Sequence, residues 1–190
     1  KVLTLDGREK EVDTAYVEKF RNEAIAALSK LHNSDGGFAW FDGMLSSELL
    51  TLFVLEKMSQ LRDFGAIEFN ESEKKLVEGA VGYIDEMIIE AYSREGYNSF
   101  NSINLFYVRS QYPEFRMKGK ASTAFGKFLS DTAEGWQKIA ILNKARLAHI
   151  LLNCKGTDFW NKKFESRIED LNASLKDYAV ANPTIGCYFP

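Results

Sequence analysis

The sequence predicts an all-α protein of about seven helices. Three observations carry this: apolar residues recur at steps of three and four in seven segments, capping residues precede several of them, and only short loops alternate with period two.

The first helix is expected over Thr14–Leu31, with Asp13 as N-cap and Val17, Phe20, Ala24, Leu28 and Leu31 along one face. The second follows LSSE, where Ser46 or Ser47 can cap, and is apolar on most faces from Leu49 to Leu61. Asn70 and Glu73 stand in capping-box spacing at the start of the third, which carries Leu76, Ala80, Ile84, Met87 and Ile88 as far as Ala91. A fourth spans Ser102–Gln111 and is stopped by Pro113. The fifth, Ala121–Asp131, holds Phe125, Phe128 and Leu129, and the sixth runs from Gln137 to Asn153. Thr157 is expected to cap a seventh that reaches Tyr178.

The ends of the odd helices share a composition. Gly37-Phe38-Ala39-Trp40-Phe41 follows the first, Gly96-Tyr97 and Phe100 the third, Gly135-Trp136 the fifth, and Gly186-Cys187-Tyr188-Phe189 the seventh. The glycines are spaced by roughly forty to sixty residues, the length of a two-helix hairpin, which is the mark of an internal repeat. The odd helices carry charged stripes, whereas the second and sixth are apolar almost all round and need cover on every side. Even helices are therefore expected inside and odd helices outside, as helical hairpins in an α/α toroid or an arc of one.

In SDGGFAWF, Ser34–Phe41, the composition suits a joint between an outer and an inner helix. Gly36 and Gly37 allow positive φ, and Asp35 can accept backbone N–H bonds in the turn. Phe38 and Trp40, two apart in an extended stretch, are expected to point the same way into the core, with Phe41 beside them. The turn motif is thus Asp35, Gly36, Gly37, Phe38, Trp40 and Phe41.

Composition narrows the function. With 190 residues, 45% of them apolar and 27% charged, one soluble core is expected over 1–190. The net charge of -3 and basic clusters no longer than pairs (Lys74-Lys75, Lys162-Lys163) give no track for a phosphate backbone, so no nucleic-acid partner is expected. No apolar run reaches membrane-spanning length. The start, KVLTLDGREK, has neither an initiator Met nor an apolar signal segment, so the chain is expected to be a piece of a longer one with 1–13 as an extended lead-in.

Several segments, in order, resemble the bacterial alpha-2-macroglobulin family. ALSKLHNSDGGFAWFDGMLSSELLTLFVLEKMSQL is similar to the family's helix, DGG-aromatic turn and following helix; INLFYVRSQY resembles its YLYARS helix, and GCYF its Gly-x-Tyr-Trp end. The likeness runs from Ala24 to Phe189. It implies part of the thioester-type toroid domain of a protease trap in the cell envelope or periplasm, whose partners are the other domains of its parent chain and, through the full-length protein, proteases. The family's covalent trigger is a Cys-x-Glu-Gln thioester. Here Cys154 precedes Lys155-Gly156-Thr157 and Cys187 precedes Tyr188-Phe189-Pro190, so neither forms that ring. His32 stands one turn before the DGG segment, where a helix C-terminus suits partial positive charge.

Terpenoid cyclases and other α/α toroids use similar glycine-aromatic turns, and a toroid enzyme acting on glycans or isoprenoids is the second reading. The sequence has no Asp-rich ionisation motif. His149 and Cys154 are five apart, about 140° round a helix, and make poor joint metal ligands. Asp35, Asp42 and Glu48 are the one acid set placed to serve a groove. No catalytic residue, cofactor or metal is assigned, and the expected function is a non-enzymatic one.

Overall fold

The computed structural model describes residues 14–65, 68–94, 98, 102–184 and 186–189. Its described residues form seven α-helices: α1 Thr14–Lys30, α2 Glu48–Asp63, α3 Glu71–Ser93, α4 Ile103–Ser110, α5 Gly119–Gly135, α6 Ile141–Asn153 and α7 Lys163–Tyr178. Two short strands follow, β1 Val180–Asn182 and β2 Gly186–Tyr188, paired antiparallel with Ala181 opposite Cys187. The all-α fold class expected from the sequence holds, and no described helix is long and apolar enough to cross a membrane. The contacts group into two compact units, Lys1–Met87 and Ile88–Pro190, with the boundary inside α3.

In Lys1–Met87, Ser47 caps α2, its Oγ accepting from the amide of Leu50 at 3.3 Å. Asn70 and Glu73 form the expected reciprocal box: Oδ1 of Asn70 accepts from the Glu73 amide at 2.9 Å, and Oε2 of Glu73 accepts from the Asn70 amide at 2.8 Å. Glu73 is nearly sealed from solvent, and its charge is met by Arg21 of α1, whose Nη2 lies 2.6 Å from Oε2 and whose Nε lies 3.1 Å from Oε1. Arg21 also donates to the carbonyl of Glu68 at 2.7 Å.

The pairing lies on the inward face of α1. Arg21, Ile25 and Leu28 are its half-buried residues, while Val17 and Phe20 stand exposed. Of the expected stripe, Leu28 and Leu31 are half-buried, whereas Val17, Phe20 and Ala24 are exposed and Arg21, paired with the buried carboxylate of Glu73, and Ile25 turn inward in their place. On α3 the buried face is Leu76, Val77, Ala80, Val81 and Ile84, at helical spacing.

In Ile88–Pro190, α6 packs against α4 and α7. Six of the eight residues of α4 are buried. Phe106 stacks on Phe128 of α5 with centroids 4.2 Å apart, and Phe125 meets Phe159 edge-on at 4.8 Å. α7 turns Phe164, Ile168 and Leu171 inward and is otherwise mostly exposed.

Four expectations need correction here. α2 is not covered all round, since Leu49, Phe53 and Leu61 are exposed, and α3 and α5 have buried faces of their own, so burial does not simply alternate from helix to helix. The sixth helix starts at Ile141, because Trp136–Lys138 form a separate 3-10 turn and Ile139 and Ala140 are extended. Thr157 holds a turn, accepting from the Phe159 amide and donating to the Cys154 carbonyl, and α7 begins later, with the Asn161 side chain accepting from the Lys163 amide. Gly186, with φ +85, opens an exposed strand, and Tyr188 and Phe189 stand in solvent instead of entering a core. The expected turn at Gly96, Tyr97 and Phe100 and the cap at Asp13 lie outside the described residues.

Candidate functional site

The Ser34–Phe41 segment is built as a joint between α1 and α2. After α1 the chain doubles back: the Asn33 amide donates to the Gly37 carbonyl at 2.9 Å, the Gly36 amide to the Asn33 carbonyl at 3.0 Å, and the Ala39 amide to the Leu31 carbonyl at 2.8 Å. His32 and Phe38 face each other as an antiparallel bridge. Gly36 has φ +88, the left-handed conformation expected of it. Oδ1 of Asp35 accepts from the Gly37 amide at 3.0 Å and from Oγ of Ser46 at 2.6 Å, which is the backbone-capping role expected.

Two further bonds tie the turn to α2. The Phe38 amide donates to Oγ1 of Thr51 at 2.8 Å, and the Phe38 carbonyl accepts from the Ser47 amide at 2.8 Å. Phe38 is thereby fully buried without stranding a polar backbone atom.

Gly37 differs from its expectation. Its φ is not positive; a Cβ there would lie 2.5 Å from Cβ of Ser46 and 2.8 Å from Cε2 of Tyr83, so it is small because the site is crowded. At Gly36 a Cβ would fall on the carbonyl of Gly79 in α3.

Trp40 and Phe41 also differ. Trp40 is 53% exposed and Phe41 70%, although Phe38 and Ala39 are both buried. The extended stretch ends at Ala39, where a bend begins that leads to Gly43 at φ +78, so the two-residue parity linking Phe38 to Trp40 is lost. Trp40 and Phe41 instead join Met44, Leu45, Leu49 and Phe53 as a run of exposed large apolar side chains over the loop and the first turns of α2. Leu45 is 91% exposed. No spacing rule marks such a run, because its members do not share one period.

Asp35 is committed to the turn, while Asp42 and Glu48 stand in solvent. The His32 ring lies 5.0 Å from that of Phe38; its Nε2 is buried without a hydrogen-bond partner, and burial pushes its pKa below the usual imidazole value despite the Gly36 backbone bond and nearby Asp35. Among the described residues no group of three or more His, Cys, Asp or Glu side chains is placed to hold a metal.

A recess of about 370 Å³ lies within Ile88–Pro190 beside Arg109, Met117, Phe125, Cys154 and Phe159. Arg109 braces its wall, donating to the carbonyls of Tyr112 and Phe115 at 2.9 and 2.6 Å. Both cysteines are free thiols. Burial pushes the Cys154 pKa up to about 12, so it stays a neutral thiol at physiological pH and is a poor nucleophile. His149 is turned to the ring of Tyr107 at 5.5 Å.

Comparison of the chain with family profiles, with characterised proteins and with solved structures returns no match.

Proposed function

We propose that this chain is a non-enzymatic module of helical hairpins, arranged as an α/α toroid or part of one, within an alpha-2-macroglobulin-like protease trap of the cell envelope or periplasm. The observation that carries the reading is the exposed apolar run of Trp40, Phe41, Met44, Leu45, Leu49 and Phe53. Apolar surface concentrated in this way marks an interaction site. Its occupant in this reading is a neighbouring domain of the parent chain, because a trap acts by passing a rearrangement between domains in contact.

The turn beside that surface supports the reading. Asp35, Ser46 and Thr51 spend their hydrogen bonds on holding α1 to α2, which gives the DGG segment resembling the family a mechanical role. Cys154 and Cys187 take no part in a thioester, and protease trapping belongs to the full-length protein.

The test sets the folded chain beside its parent. The chain alone is expected to turn over neither glycans nor isoprenoid diphosphates and to leave proteases uninhibited, whereas the parent inhibits them. Leu45→Asp combined with Leu49→Asp is expected to lower inhibition by the parent about tenfold, the scale set by losing a buried apolar contact. Turnover by the isolated chain that vanishes in Asp42→Asn or Glu48→Gln would overturn the proposal.

A further inference from the structure

The recess within Ile88–Pro190 runs from solvent to the core. Its rim carries the exposed residues Pro113, Arg116, Gly156 and Asp158, and its inner wall the buried Ser110, Met117, Phe125 and Cys154. Arg116, from the loop between α4 and α5, meets Asp158, from the turn between α6 and α7, at 2.8 Å, with both side chains mostly in solvent. An exposed ion pair of this kind is weak, so the contact can part to admit a ligand.

The wall suits an aromatic ring. Phe115, Phe125 and Phe159 line it, and Met117 and Cys154 bring two polarisable sulfurs to the same space. Ring edges and sulfur both pack favourably on an aromatic group. Arg109 and Arg116 also line the recess, and guanidinium groups are attracted to the negative face of a ring. Ser110, Ser122 and Asn153 supply neutral polar groups. Nδ2 of Asn153 donates to Oγ of Ser110 at 3.3 Å, and that hydroxyl donates onward to the Tyr107 carbonyl at 2.9 Å. With its nitrogen engaged in this chain, the Asn153 amide has its oxygen to offer, an acceptor that an O–H donor matches.

We propose that this recess is a binding site for a phenol, one aromatic ring carrying a hydroxyl. Its volume of about 370 Å³ lies at the small end of the range for ligand sites, about 300–1,000 Å³, which points to a single substituted ring. The ring packs among the phenylalanine and sulfur side chains, and the hydroxyl donates to the Asn153 amide oxygen. A neutral ligand is favoured over an acid, because Arg109 spends donors on the carbonyls of Tyr112 and Phe115 and Arg116 is met by Asp158. The phenol can come from a free small molecule or from a tyrosine of a peptide.

Met117 reports on the site directly, since a ring bound beside it shifts its methyl resonance. With methyl-labelled methionine in the full chain, that resonance is identified by its loss in Met117→Leu, and Met58 and Met87 serve as references. The chain is then titrated with p-cresol, toluene, benzoate and a blocked tyrosine-containing peptide. A saturable shift of Met117 with p-cresol is expected, the references staying in place, and binding about tenfold weaker with toluene, which lacks the hydroxyl. Tighter binding of the peptide than of p-cresol assigns the site to a protein tyrosine, and equal or weaker binding assigns it to free phenols. Ser122→Phe, which fills the recess, is expected to abolish the shift with unchanged circular dichroism. Asn153→Leu is expected to bring p-cresol and toluene to equal affinity, and it carries the test if Ser122→Phe does not fold. No saturable shift of Met117, a response confined to the exposed Met44, toluene or benzoate binding as tightly as p-cresol, or full binding by folded Ser122→Phe would overturn the proposal.

Discussion

The α-carbon of Gly36 is seated against the backbone of Gly79, so that any side chain at position 36 would strike the Gly79 carbonyl. Two glycines more than forty positions apart in sequence thus fix how closely the α1–α2 joint approaches α3. Contact of this kind is set by backbone atoms and tolerates no repacking.

Gly36→Ala should therefore cost more than its dihedral alone. A non-glycine residue at φ +88 costs about 1–3 kcal/mol, and the collision with Gly79 adds to it. Gly43 is the control: its φ is +78 but nothing lies within 4 Å of a Cβ built there. Urea denaturation should place Gly36→Ala well below Gly43→Ala in stability, and equal losses would show that the approach to Gly79 is not tight.

The Arg21–Glu73 pair yields a second test. Arg21→Met leaves the Glu73 carboxylate buried without its cation and should destabilise the fold by about 3 kcal/mol. Glu73→Gln in that background removes the stranded charge while keeping a side-chain oxygen for the Asn70 amide, and should recover part of the loss in chemical denaturation.

His32 gives the joint a pH dependence. Its folded pKa lies below the ordinary imidazole value, so between the two the unfolded chain binds a proton that the folded chain does not. Stability is fully present above about pH 7 and falls as the pH drops through the usual value of about 6.5 toward the lowered one. The groups around the ring are Asp35, whose charge opposes the shift, with Tyr83 and Glu86 lining the same recess. Denaturation at several pH values between 5 and 8 should show a smaller fall in His32→Gln than in the parent sequence, with His149→Gln as control. Identical pH curves for His32→Gln and the parent sequence would remove His32 as the cause.

Much of this fold is legible in the sequence because it rests on local rules. Ser47, the Asn70–Glu73 box and the left-handed Gly36 are recognisable from their near neighbours alone. What escapes such reading depends on distant partners. Phe20 of α1 looks like a core residue until Glu73, fifty-odd positions away, claims Arg21 for the interface. Trp40 follows Phe38 in parity only while the chain stays extended, and the bend after Ala39 is not encoded by one residue. The β1–β2 hairpin is too short for period two to register. Lys144 and Arg167 read as ordinary helix charges, since their meeting at Trp136 is made by the packing of α6 against α7.

The exposed position of Trp40 reverses what an aromatic at a glycine turn would suggest for stability. Trp40→Ala should change the unfolding free energy by no more than about 0.5 kcal/mol, as surface substitutions do. A loss of several kcal/mol would mean that the indole is packed in the folded chain.

The central claim is that the Trp40–Phe53 surface is covered by a neighbouring domain in the parent protein. Hydroxyl-radical footprinting read by mass spectrometry measures this directly, because Trp40, Phe41 and Met44 are all oxidisable and all exposed in this chain. The account predicts strong oxidation of these three residues in the isolated chain and marked protection in the intact parent, with the exposed Tyr188 and Phe189 as internal references. Equal oxidation of Trp40, Phe41 and Met44 in the two forms would contradict it.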